Sequence, residues 1–448
     1  MSRARLVGVA VTGLIALAAV AWPVGAEALT DLVLPDAGCP MAHCDPRMSD
    51  NVNATAPIDP STQVVFVDPV PEGAGFGLGC SSNLEVVACS LRSHRSPNLV
   101  VYDGDGNRIF TSGRSLGRTA AFSAPIVEAS GGVIAADDRT LIRYRSDGTI
   151  LWRSSTVGGA PYSPVVTANG AVVLATINGP ISAYSAATGA RLGAITLASS
   201  HRGNFSTRNT PAVNGNRLYV SLALEQSGLK LGRLVAIDVD PANAEAPLQE
   251  KWHFDFVGPS GATPLFLDGT VYFDGSGGPF GVVGGPRLFA VRDLGETSAL
   301  LWQRHMPGRM VASPAQDPRG GVWVFALGLE DLMRLDPLTG AVLQRLDLNA
   351  LVDARGTQVP ASAMSIARSP DGAPVMLLSA TSSVNSFGPS FVVALDLENS
   401  RLLWRVEIAE WYLDNMVASQ FPIVLNRRGQ PRVVFPGARG GVFFVGVP

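Results

Sequence analysis

The sequence has almost no lysine: Lys230 and Lys251 are the only two among its 34 basic residues. The rest are arginines, a skew that reflects a GC-rich bacterial genome rather than a function, and they form no stripe or run. Nucleic-acid binding, which needs such a stripe, is excluded. Charge of either sign is sparse, at 16% of 448 residues, and the net formal charge is only −3. The five histidines are scattered. No Ser, His and Asp fall at a spacing that argues for a triad, and no Cys-x-x-Cys-His haem motif occurs. After the first residues, no apolar run comes near the ~20 residues needed to cross a membrane.

What is there begins with a targeting segment. Arg3 and Arg5 form a basic start, residues 6–22 are mostly apolar and uncharged, and small residues lead to cleavage points after Ala26 or Ala28. Residues 1–28 therefore read as a signal peptide, with a transmembrane helix as the competing reading for a run of this length. The small-residue exit favours cleavage. The mature chain is expected to be periplasmic or secreted, with no transmembrane anchor left. Ala37-Gly38-Cys39 looks like the end of a lipobox, but Asp36 stands where an aliphatic residue belongs, which argues against a lipid anchor.

Four cysteines remain: Cys39, Cys44, Cys80 and Cys89. In an exported chain an even count suggests disulfides, with three pairings open. Short loops close at least entropic cost, which favours Cys39–Cys44 and Cys80–Cys89. Cys39, Met41, His43, Cys44 and Met48 also gather soft donors suited to copper(I), but export disfavours reduced thiols, so no metal site is expected there. Residues 29–62 read as an irregular arm, rich in Pro, Asn and Asp over 36–60.

From residue 63 onward a pattern recurs about every 50 residues, in the range of the longer propeller blades. Each unit opens with a residue, often small, and proline before an apolar stretch: Ala124-Pro125-Ile126, Ser163-Pro164-Val165, Thr210-Pro211-Ala212, Thr263-Pro264-Leu265, Ser313-Pro314-Ala315 and Phe421-Pro422-Ile423. A turn such as Asn169-Gly170 or Asp268-Gly269 follows, supplying the positive φ of a tight hairpin. A second strand (Val271-Tyr272-Phe273) and a third (Leu234-Val235-Ala236-Ile237-Asp238) come next. A further turn, Thr188-Gly189 or Thr339-Gly340, leads to a fourth strand carrying Trp152, Trp252, Trp302 or Trp404. Four short strands repeated in tandem are small antiparallel sheets, which bury both faces only by stacking radially.

Seven complete units begin near Gly75, Ala121, Pro161, Arg208, Ser260, Val311 and Pro360. An eighth, from Ser419, is one strand short. Gln63-Val64-Val65-Phe66-Val67 supplies the missing strand and is expected to close the ring. The expected fold is thus all-β: an eight-bladed β-propeller over 63–448, with seven blades as the alternative. The equivalent tryptophans are expected to pack blade on blade. Asp103-Gly104-Asp105-Gly106-Asn107 resembles the start of a calcium loop but lacks the completing Glu, and reads as a plain turn.

The composite of small-Pro, strand, Gly turn, third strand, Thr-Gly turn and Leu-Trp resembles the repeat of pyrroloquinoline-quinone-type propellers. Ala183-Tyr184-Ser185-Ala186-Ala187-Thr188-Gly189, and Ala394-Leu395-Asp396 through Leu403-Trp404, carry the likeness best. That family holds quinoprotein dehydrogenases and cofactor-free members similar to the propeller lipoprotein of the outer-membrane barrel assembly machinery. The dehydrogenases, as the resemblance implies, need a calcium-type cation, a general-base Asp and often a vicinal cysteine disulfide. This chain has no Cys-Cys pair and no evident inward set of carboxylates. A cofactor-free protein is therefore expected, with quinone and Ca2+ implied only under the alternative of an alcohol- or sugar-oxidising quinoprotein.

The departures from the repeat point to one face. Loops joining second to third strands emerge beside the inter-blade loops, and three expansions fall there, at 224–231, 275–285 and 381–389. The inter-blade loops on that face offer His201, Arg202, Asn204, Arg208 and Asn209, then Arg309, then Trp411, Tyr412, Asp414 and Asn415. Rigid blades commonly present function on such loops. A monomer binding a protein or cell-envelope component through them is the expected activity, with a carbohydrate-binding module on Trp411 and Tyr412 as a weaker idea.

Overall fold

The computed structural model describes residues 32–448 apart from 70–78, 94–96, 178, 198–204, 208, 227–228, 259, 261, 276–284, 309, 311–312, 326–330, 354–357, 361, 383–389, 410–419 and 438–440. Eight small antiparallel sheets follow one another along the chain, at 80–111, 126–155, 165–195, 206–257, 265–305, 315–347, 358–409 and 423–446, making an eight-bladed β-propeller. The last takes its outer strand from the other end of the chain. Gln63–Asp68 pairs antiparallel with Val442–Gly446, setting Val64 opposite Val445 and Val67 opposite Phe443.

Burial follows position in the sheet. Ala171–Ala175 and Ile181–Ser185, a second and a third strand, are buried along their whole length between neighbouring sheets. The outer strand Leu248–Val257 alternates, with Trp252 and Phe256 inward and Val257 facing solvent. Such alternation is what a half-buried strand reads as. Asp268 and Gly269 both take positive φ, +48° and +77°, as the first hairpin of the fifth sheet requires.

The tryptophans form the seams. Trp152 Nε1 donates to Ala186 O (2.8 Å), Trp302 Nε1 to Pro337 O (2.9 Å) and Trp252 Nε1 to the Asp293 carboxylate (2.9 Å), each acceptor lying in the third-to-fourth-strand turn of the next sheet. The glycine of that turn lies against the ring. Gly189 (φ +73°) and Gly340 (φ +69°) would each set a Cβ under 3 Å from Trp152 and Trp302. Thr-Gly is thus needed twice over, for backbone conformation and for space. Near the axis, Ala124 N–H donates to Ser163 Oγ (2.8 Å) and Thr263 N–H to Ser313 Oγ (3.1 Å), so at these two seams the small residues before the prolines link adjacent sheets.

The closing strand is fastened on both sides. Trp404 Nε1 donates to Pro57 O, and Asp68 accepts from Tyr102 Oη (2.8 Å) and, bidentately, from Arg108 (2.6 and 2.7 Å) in the first sheet. One stretch of 12 residues from the start of the chain therefore stands where a turn and an outer strand would. Of the three expansions, that at 224–231 is largely strand rather than loop. Arg217–Gln226 and Leu229–Val239 pair out to Gln226 opposite Leu229. Each expansion falls between the second strand of its sheet and the third, and the strand ends that flank all three point to one face.

Candidate functional site

The centre of the ring is filled. Inner strands have one edge without a strand neighbour, and a row of bare N–H groups there is costly unless covered. Residues 39–50 cover it. Ser82, Val127, Val213, Phe266, Gln316 and Ile366, on the inner strands of sheets one, two, four, five, six and seven, donate N–H to the carbonyls of Cys39, Pro40, Pro46, Arg47, Ser49 and Asp50, at 2.6–3.0 Å. The arm meets the sheets in the order in which they follow round the ring. It then runs on as the strand Asn51–Thr55, parallel to Ser365–Arg368.

The eighth sheet contributes a side chain instead. Gln420 is fully buried; its Nε2 donates to Met41 O (3.0 Å) and Cys80 O (2.9 Å), and its Oε1 accepts from His43 N–H (3.2 Å). Met41 and Met48 are fully buried and pack with the sheets. The arm is also tied to itself, by the Cys39–Cys44 disulfide and by paired hydrogen bonds between Gly38 and Asn53. Cys80–Cys89 bridges facing residues of the first sheet's two inner strands. Both disulfides are the pairs expected from loop length.

Both ends of the arm lie on one face. Val33 O accepts from Ala129 N–H in the first turn of the second sheet. At the other end the parallel strand heads toward the same set of turns, and Pro57 meets Trp404. The strand ends that flank the three expansions point to the opposite face.

The electrostatics of the channel centre on one pair. His43 Nδ1 lies 3.0 Å from both carboxylate oxygens of Asp50, and both residues are buried. Burial pushes the Asp50 carboxyl up to about 6; His43 opposes the shift and Asp45 adds slightly to it. Desolvation of the charged form outweighs the nearby imidazole, as it does for carboxyls held away from water. Asp45 is itself engaged at the surface, with Ser49 and Arg47.

The loop-borne candidates fare differently. His201, Arg202, Asn204, Arg208, Arg309, Trp411, Tyr412, Asp414 and Asn415 lie outside the described residues, as do residues 1–28 with their expected cleavage points. Asn209 is half-buried, and its Oδ1 accepts from Thr210 N–H (2.9 Å), a local turn contact. Asp103 accepts from the N–H groups of Asp105 and Asn107, which is the plain turn expected of that stretch. Among the described residues no group of three His, Cys, Asp or Glu is disposed to hold a metal ion. The filled channel was missed in the sequence. Its only signals there were two methionines in a polar arm and two prolines, Pro40 and Pro46, whose carbonyls are two of the six that the inner strands use.

Fold and seams define a β-propeller, and its blade repeat is of the pyrroloquinoline-quinone type. A family model described as outer membrane protein assembly factor BamB matches residues 96–250. No curated protein matches the chain. Among solved structures, the computationally designed Ika8 protein is similar at a TM-score of 0.56 and 14% identity, over 84% of this chain and 98% of its own. BamB from Moraxella catarrhalis is similar at 0.51 and 13%, over 86% and 97%. The quinohemoprotein alcohol dehydrogenase ADHIIG from Pseudomonas putida HK5 is similar at 0.51 and 10%, over 92% and 80%. At such identities the likeness is one of fold.

Proposed function

We propose that the chain is an exported, non-enzymatic propeller that holds a protein or cell-envelope partner on the face carrying the inter-blade loops. The observation that carries this reading is the filled channel. A quinone and its calcium would need the central funnel, an inward set of carboxylates and a base. Here the arm takes up the channel beside the inner strands, and its buried carboxylate, Asp50, is already engaged by His43. The described residues do not fit the quinone and its metal.

Two further points support the partner reading. The matching family model is described as an assembly factor, a role exercised among other proteins. Two disulfides suit the oxidising surroundings of an exported chain. The contact residues are those of the loop face: His201, Arg202, Asn204, Arg208, Asn209, Arg309, Trp411, Tyr412, Asp414 and Asn415. Trp411 and Tyr412 lead, because large aromatics concentrate binding energy and these two have no counterpart in the repeat.

Affinity capture from envelope extracts, with wild type beside Trp411→Ala/Tyr412→Ala, tests the proposal. A partner retained by wild type and lost from the variant supports it, and an unchanged set of captured proteins removes these residues from the site. Reconstitution with pyrroloquinoline quinone and calcium, followed by dye-linked oxidation of alcohols and sugars, tests the converse. Turnover there would overturn the non-enzymatic reading.

A further inference from the structure

The hydrogen bonds that seat the arm are main chain on both sides, as in a peptide added to a sheet edge. We infer that the central channel is a peptide-binding site and that residues 36–57 are its resident ligand, carried in cis. The ligand class is a short, turn-rich peptide that offers carbonyl oxygens outward in sequence around the ring, with two apolar anchors and few charges. Six inner-strand N–H groups read those carbonyls, Gln420 clamps the amides of Met41 and His43, and Met41 and Met48 fill the apolar sites.

Three features separate this arrangement from an ordinary strand of the core. The arm is ordered by its own bonds, through Cys39–Cys44, His43 with Asp50, and Gly38 with Asn53, so little freedom is lost on seating. Both of its ends lie on one face, so it can be inserted or withdrawn without threading. Its link to the closing strand, Asp59-Pro60-Ser61, is exposed and folded on itself, with Asp59 accepting from Ser61 N–H (2.8 Å). Cutting there leaves Gln63–Asp68 in the ring and the arm held by noncovalent contacts alone. This inference goes beyond the partner reading of the opposite face, which needs the arm only in its seated state.

The test uses the full oxidised chain with a specific protease site placed in the Asp59–Ser61 turn. After cleavage the arm fragment is expected to co-elute with the ring on gel filtration. A fluorescent synthetic peptide of residues 36–57, oxidised at its two cysteines, is expected to exchange for the fragment at one per ring. The same peptide carrying Met41→Asp and Met48→Asp should bind at least 100-fold more weakly, and a Cys39→Ser/Cys44→Ser peptide about tenfold more weakly. Gln420→Ala in the cut protein should weaken peptide binding at least tenfold, since both arm contacts of that side chain are lost. Two results overturn the inference. Either the ring unfolds on cleavage, which makes the arm core, or the fragment departs from a folded ring that then fails to take up the peptide.

Discussion

Two seams of the ring achieve the same contact with chain from different places. Between the second and third sheets, Trp152 meets Ala186 in a turn of the very next unit, and Arg143, ion-paired to Glu128 at 2.6 and 2.8 Å, donates to the same carbonyl. Between the seventh and eighth, Trp404 meets Pro57, a residue from the far end of the chain. The chemistry is conserved while the connectivity is not. A seam is therefore made by an indole and an oxygen acceptor, a main-chain carbonyl for Trp152, Trp302 and Trp404 and the Asp293 carboxylate for Trp252, and covalent continuity is dispensable to it. The two seams differ in what their loss exposes: the first leaves neighbouring units joined in sequence, whereas the second loosens the chain that leads into the closing strand.

That difference can be broken directly. Trp404→Ala is expected to cost about 4 kcal/mol, as truncation of a buried indole does. It should also speed amide exchange at Val64–Val67 and at Val442–Gly446. Trp152→Ala is expected to cost a similar amount and leave exchange in those two strands unchanged. Equal exchange in the two variants would show that the closing seam has no special role. Chemical denaturation with exchange mass spectrometry reads both.

A smaller effect isolates the turn from the ring it touches. Gly189→Ala meets positive φ and a Cβ placed 2.7 Å from Trp152, whereas Gly372→Ala, at φ +90°, meets open space. The first is expected to lose about 2–3 kcal/mol and the second about 1, since only the backbone term is shared. Matching losses would mean that the indole gives way at no cost.

The channel supplies a pH-dependent contrast with the seams. Asp50 titrates at about 6 in the fold against 3.8 in the ordinary state. Because the folded value is raised, its stabilising contribution is complete below about 3.8 and is lost as pH climbs through 6. Wild type should lose stability relative to Asp50→Asn, on the order of 1–3 kcal/mol, between pH 4 and pH 7. A flat difference in thermal melts over that window would refute the assignment. At the low end of the scale, Arg345→Ala breaks an exposed 3.1 Å pair with Asp331 and should change stability by less than about 0.5 kcal/mol.

The ring was legible because its causes repeat. Proline before six of the eight inner strands, glycine in many of the turns and tryptophan in four of the outer strands recur at equivalent places, so one blade read correctly led to the rest, and the strand at 63–67 was recognisable by what the eighth unit lacked. The arm was not legible, for a physical reason. What it gives the ring is backbone carbonyls, which every residue has, and no composition distinguishes a carbonyl that covers a sheet edge from one that faces water. The expansion at 224–231 was taken for loop although Leu222, Leu224, Leu229 and Leu231, around Ser227-Gly228, already alternate as a lengthened hairpin would. The candidate binding residues rested on uneven loops alone, a signal of where to look and not of what is bound.

The closing strand also fixes an order of events. Gln63–Asp68 leaves the ribosome long before Val442–Gly446 exists to pair with it. Until then every intermediate has an open ring and a strand without its mate. A chain cut short anywhere before Val442 thus advertises its own incompleteness, because it still carries at its front the apolar edge that only a finished molecule conceals.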